Sequence, residues 1–65
     1  MKIHHIKGYT IVLDKVVFIS SVFVNDDDSL QFNVKMVDDK LVFRYPDRAS
    51  AVLARETLVQ ALKEA

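Results

Sequence analysis

Cysteine and tryptophan are absent from this chain, and glycine and proline occur once each. Without cysteine there is no disulfide scaffold and no thiolate-ligated zinc site. A single glycine excludes a glycine-rich phosphate loop and a dinucleotide fingerprint, which each need several. Net charge is missing too, since nine basic residues balance nine acidic ones. Nucleic-acid binding by bulk charge therefore has no excess to draw on, although a local patch stays open. No apolar run reaches the ~18 residues of a membrane span, and the first residues lack the apolar stretch of a signal peptide. The class left is a globular domain, expected to be soluble and cytoplasmic.

What is present is apolar. Hydrophobic residues make up 51% of the 65 and charged residues 28%, a balance that excludes disorder. A chain this short hides only about 60% of its unfolded surface, so its core is marginal. With no disulfide and no visible metal site, oligomerisation is the stabilising device left to it.

The composition changes near Pro46. Before it, β-branched and aromatic residues dominate, which suits a pleated, half-buried surface. After it, alanine is frequent, which suits a helix. One domain over residues 1–65 is expected, β-rich over 1–45 and helical over about 47–64. Met1–Lys7 and Tyr9–Leu13 read as strand pieces separated by a bend at Gly8. The pattern leaves open whether residues 1–15 form one strand or two. Val16–Val24, Leu30–Val37 and Leu41–Tyr45 read as strands. The polar clusters Asn25–Ser29 and Asp38–Lys40 are the turns between them, which implies an antiparallel meander.

Faces follow from alternation. Leu30, Phe32, Val34 and Met36 point one way, and Gln31, Asn33 and Lys35 the other. Leu41, Phe43 and Tyr45 oppose Val42 and Arg44. Val16–Val24 is apolar on both sides, with Val16, Phe18, Ser20, Val22 and Val24 on one face. Val17, Ile19, Ser21 and Phe23 lie on the other. Asp47 is a natural helix N-cap. In the helix, Ala51, Ala54, Leu58, Ala61, Leu62 and Ala65 form the stripe to bury, while Leu53 falls within the polar side. The expected fold is α+β, a small antiparallel meander of three to five strands covered on one face by a single C-terminal helix. That layout recurs in small bacterial and phage accessory proteins, an analogy of fold that carries no function.

One helix covers one sheet face. The other face would expose Val17, Ile19, Phe23 and Val42 among Gln31, Asn33, Lys35 and Arg44. An apolar patch rimmed by polar groups marks an interface. The remaining candidates are weaker. Adjacent His4 and His5 point to opposite faces of a strand and cannot grip one metal ion. Asp26–Asp28 are consecutive, without the alternate spacing, glycine and distal glutamate of a calcium loop, and read as a solvated hairpin tip. Ser20 and Ser21 read as small packing positions, and no nucleophile motif is present.

The expectation is therefore a non-enzymatic domain without cofactors that self-associates, most simply as a homodimer, and acts by binding a protein partner. Val17, Ile19, Phe23, Val42 and Leu53 are its expected apolar contacts, and Gln31, Asn33, Lys35 and Arg44 its rim. The alternative is single-stranded nucleic acid, with bases on Phe23 and phosphates on Lys35 and Arg44. A third reading is an oligomer that builds a ligand or active site between subunits. The N-terminal strand, with Lys2, His4, His5 and Lys7, reads as a sheet edge that a partner's strand could extend.

Overall fold

Turn chemistry sets most of the strand boundaries. The computed structural model describes residues 2–64. Met1, assigned above to the first strand, and Ala65, assigned to the helix stripe, lie outside the described residues. Residues 1–15 contain two strands, β1 (Ile3–Ile6) and β2 (Tyr9–Val12), paired antiparallel as a hairpin. Lys7 (φ 46°) and Gly8 (φ 84°) both occupy left-handed backbone, the requirement of a two-residue type I′ turn. A Cβ at Gly8 would meet nothing within 4 Å, so the demand for glycine there is conformational rather than spatial. A single 3₁₀ turn, Leu13–Lys15, carries the chain onward.

The second sheet holds β3 (Val16–Ile19), β4 (Phe23–Val24), β5 (Leu30–Met36) and β6 (Lys40–Tyr45), all antiparallel to their partners. β6 takes one edge of β5 along residues 30–35. β3 and β4 therefore lie end to end along the other edge, as two pieces of one interrupted strand. Asn25–Ser29 closes the β4–β5 hairpin. The Asn25 amide donates to the Ser29 carbonyl (2.8 Å) and Asp28 sits at φ 68°. Asp tolerates that conformation better than most residues do.

α1 (Arg48–Glu64) begins where expected. Asp47 takes the Ser50 amide at 2.9 Å and the Ser50 hydroxyl at 3.0 Å, which caps the first turn. Ala51 and Leu58 are fully buried, and Ala54, Ala61 and Leu62 pack beside them. The hairpin contributes Ile6, Ile11 and Leu13 to the same core. Tyr9 meets Phe43 edge to face at 5.6 Å, and Lys7 Nζ lies 4.5 Å from the Tyr45 ring centroid. Lys7 Nζ also donates to the Arg44 carbonyl. Helix and hairpin thus cover one face of the four-stranded sheet, the face of Phe32, Val34 and Phe43. The architecture is α+β, and the described residues form six strands in two antiparallel sheets and one C-terminal helix.

The edge strand departs from simple alternation. Val16 opposes Met36, but Phe18 opposes Lys35 and Ile19 opposes Val34, so one extra residue enters at Val17. A second enters between Ile19 and Phe23, because Phe23 opposes Gln31. Each such bulge reverses the parity of the residues beyond it. Opposed residues share a face. Ile19 therefore packs with Val34 into the core, contrary to the expectation that it joins the outer face. Phe18, expected in the core, shares the outer face with Lys35 and is 52% exposed. Val16, Ile19 and Val22 are the residues of this strand that pack on the core.

Ser20 holds the second break together, which a mere packing position would not do. Its amide donates to the Asn33 carbonyl (2.8 Å), and its Oγ accepts the Asn33 amide (2.8 Å). Its carbonyl accepts Arg55 Nε from the helix at 2.7 Å. Ser20→Ala should lower stability by about 1–3 kcal/mol by leaving the part-buried Asn33 amide without its acceptor. Gly8→Ala should cost about 1 kcal/mol through its backbone conformation, and Asp28→Gly should add up to a similar amount. Urea midpoints check all three. A neutral Ser20→Ala would contradict the role assigned to that hydroxyl.

Candidate functional site

The face of the four-stranded sheet turned away from the helix is built from three cross-strand rows. Phe18, Lys35 and Lys40 form the first. Ser20, Asn33 and Val42 form the second, and Phe23, Gln31 and Arg44 the third. Val17 bulges from the strand edge and is 60% exposed. Val42 is 45% exposed and Phe23 39%. Among the described residues no element packs across this face.

An amide rail fixes its middle. Gln31 is buried although it lies on the outer face. Its Oε1 accepts Asn25 Nδ2 (2.9 Å) and Arg44 Nε (3.3 Å), and its Nε2 donates to Asn33 Oδ1 (2.8 Å). These bonds meet the requirement that buried polar atoms be partnered. They also anchor Arg44 between the sheet and the acidic tip. Of the four expected rim residues, Gln31 is buried, Asn33 and Lys35 are half-buried, and Arg44 alone is exposed.

Each end of the face carries both signs of charge. Arg44 lines a hollow of about 280 Å³ with Asn25, Asp26 and Asp27. The Ser29 hydroxyl at 2.6 Å, the Ser29 amide at 3.1 Å and the nearby Arg44 charge hold the Asp27 carboxyl below its ordinary 3.8. At the other end Lys35 and Lys40 sit beside the Asp38–Asp39 turn, where Asp39 Oδ1 accepts the Lys40 amide at 2.7 Å. The consecutive aspartates Asp26–Asp28 are a hairpin tip. Among the described residues no group of three or more His, Asp or Glu side chains is placed to hold a metal ion.

Leu53 does not belong to this face. It stands 69% exposed on α1 and lines a groove of about 320 Å³ with His4, His5, Ile6, Ser50, Ala54 and Thr57. A wider hollow of about 550 Å³ continues from it along His4, Thr57, Gln60, Ala61, Glu56 and Glu64. His4 shares its row with buried Ile11, and His5 faces outward, where its Nδ1 lies 3.0 Å from Thr10 Oγ1. The two histidines thus sit on opposite faces of β1.

Val17, Phe23, Val42 and the four polar residues therefore share one region, while Ile19 and Leu53 do not. Phe18 was missed, as were Lys40 and the Arg55 contact to Ser20. The signal available for Phe18 was the Ser20–Ser21 pair, which interrupts an otherwise apolar run. No protein-family model, curated protein or solved structure matches the chain. No helix among the described residues is long and apolar enough to cross a membrane.

The tip has a pH signature. Because the folded-state pKa of Asp27 is depressed, its contribution to stability is present above its unfolded value near 3.8. It is lost as pH falls through the lower folded value. Thermal unfolding at fixed ionic strength between about pH 2 and 5 should show this limb in the parent and a flatter one in Asp27→Asn. Identical acid limbs would contradict it.

Proposed function

We propose that this chain is a non-catalytic domain that self-associates through the uncovered face of its four-stranded sheet and works by contact with other proteins. The observation that carries the reading is that Phe18, Phe23 and Val42 stand exposed in three successive rows of one face, which no described element covers. A marginal core gives the chain reason to bury that surface against a second molecule.

Charge favours a copy of itself over a polyanion. Arg44 has Asp26 and Asp27 beside it, and Lys35 and Lys40 have Asp38 and Asp39. The cations of the face are therefore offset locally, which weakens phosphate attraction. A two-fold axis lying across the strands would bring one copy's Asp26–Asp27 tip over the other's Lys35 and Lys40. Such self-complementarity is what an isologous contact needs.

Binding of single-stranded nucleic acid is the second reading, and one observation favours it. Phe18 joins Phe23 on the same outer face as Lys35 and Arg44, so two rings and cations share one platform.

Sedimentation equilibrium separates the two. The protein should be dimeric at both low and high salt, since an apolar contact survives screening. Phe18→Asp and Phe23→Asp should each weaken the dimer about tenfold or more while leaving the fold intact. Ile19→Asp should unfold the chain instead. A monomer at every salt concentration, or a dimer indifferent to both Phe substitutions, would overturn the reading. Salt-sensitive binding of oligothymidylate, lost in both variants, would establish the alternative.

A further inference from the structure

The layer opposite the free sheet face carries a second unpartnered feature. Among the described residues β1 bonds to β2 alone, and the only other backbone bond near it joins the Leu13 amide to the Lys2 carbonyl. In an antiparallel pair every second residue turns its N–H and C=O away from the partner. The outer edge of Ile3–Ile6 therefore presents backbone groups without partners among the described residues. Beside that edge runs the groove against α1. Three consecutive residues of β1, His4, His5 and Ile6, line it. Neighbours on a strand point to opposite faces, so the groove meets the strand along its edge rather than on one face.

The opposite wall is helical. Ser50, Leu53, Ala54 and Thr57 supply the first part, and Glu56, Gln60, Ala61 and Glu64 continue it. The helix from Ser50 to Glu64 is about 20 Å long, the length of roughly six extended residues. Leu53, Ile6 and Ala54 make the first part apolar. Among the described residues the Asp, Glu, Lys and Arg side chains lining the trough are two, both acidic, Glu56 and Glu64. Arg55 Nη1 reaches Glu56 Oε1 at 3.0 Å, and Glu64 has no ion pair among the described residues.

We infer that this groove is a strand-addition site for an extended segment of a partner protein that pairs with β1, sets an apolar side chain against Leu53 and Ile6, and offers a basic side chain to Glu56 and Glu64. An unpaired strand edge beside a helix-walled apolar trough supplies both parts of such recognition. Backbone bonds give affinity, and pockets read alternate side chains. The acidic wall selects the sign of the partner's charge. Lys2 and His5, both exposed, discourage indiscriminate pairing at this edge. The site is independent of the sheet face proposed for self-association.

The test is selection of a displayed random library of peptides of about 12 residues on the purified full chain. Enriched peptides should place Lys or Arg near an apolar residue. Their binding should shift the amide resonances of Ile3–Ile6 together with Leu53 and Thr57. Leu53→Arg, a change at an exposed helix position, should weaken the same peptides about tenfold or more, and Phe23→Asp should leave them unaffected. No enrichment, an acidic consensus, shifts that map to Phe18 and Phe23, or equal binding by Leu53→Arg would each overturn the inference. A dimer dispersed by Leu53→Arg but not by Phe23→Asp would overturn it too, since a second copy would then occupy the groove. A dimer indifferent to Phe23→Asp alongside normal peptide binding would sink only the self-association reading.

Discussion

A pair of hydrogen bonds between Ser20 and Asn33 is the constraint on which the rest of this structure depends. The Ser20 amide gives to the Asn33 carbonyl, and the Ser20 hydroxyl takes the Asn33 amide, each at 2.8 Å. A side-chain oxygen thus stands in for part of the backbone ladder where the edge strand breaks. The Ser20 carbonyl is taken by Arg55 from the helix at 2.7 Å. A strand can be interrupted in a small sheet only if its polar groups still find partners. Here a hydroxyl and a guanidinium supply them. The break accommodates the second bulge, between Ile19 and Phe23, without leaving the Asn33 amide bare.

Those bulges decide which side chains go in and which stay out. Ile19 turns inward to Val34, and Phe18 and Phe23 turn outward. The outer face gains a second ring at the moment the core gains an isoleucine. The hairpin built on Lys7 and Gly8 then joins α1 in covering the inner face alone. With both covering elements on one side, the apolar surface on the other side has no intramolecular partner among the described residues. This arrangement supports a division of labour between two surfaces, the sheet face for self-association and the trough beside β1 for a partner's strand.

Much of this was legible in the chain. The break near Pro46, the Asp47 cap, the buried stripe of Ala51 and Leu58, and the alternation through Leu30–Met36 all follow from local chemistry that the packing does not override. In the edge strand only the Ser20–Ser21 interruption was legible, and not the parity of the residues before it. Val16–Ile19 is apolar at every position, so no polar residue marks an outer face, and strict alternation assigns Phe18 and Ile19 the wrong way round. Bulges are settled by long-range fit to β5, which short-range pattern does not contain. Leu53 shows the converse. Its place on the polar side of α1 was readable, but its neighbours in the groove, His4 and Ile6, come from a hairpin at the other end of the chain, which only the tertiary fold brings near.

The assignment of Phe18 to the outer face and Ile19 to the core is the claim on which both the free face and its proposed use rest. Interproton contacts across the β3–β5 pair in a nuclear magnetic resonance spectrum test it most directly. The bulged register predicts contacts from Ile19 to Val34 and from Phe18 to Lys35. Contacts from Ile19 to Lys35 and from Phe18 to Met36 would mean that the register of Phe23 with Gln31 runs on unbroken. That result would place Phe18 in the core, return Ile19 to the surface, and contradict the account.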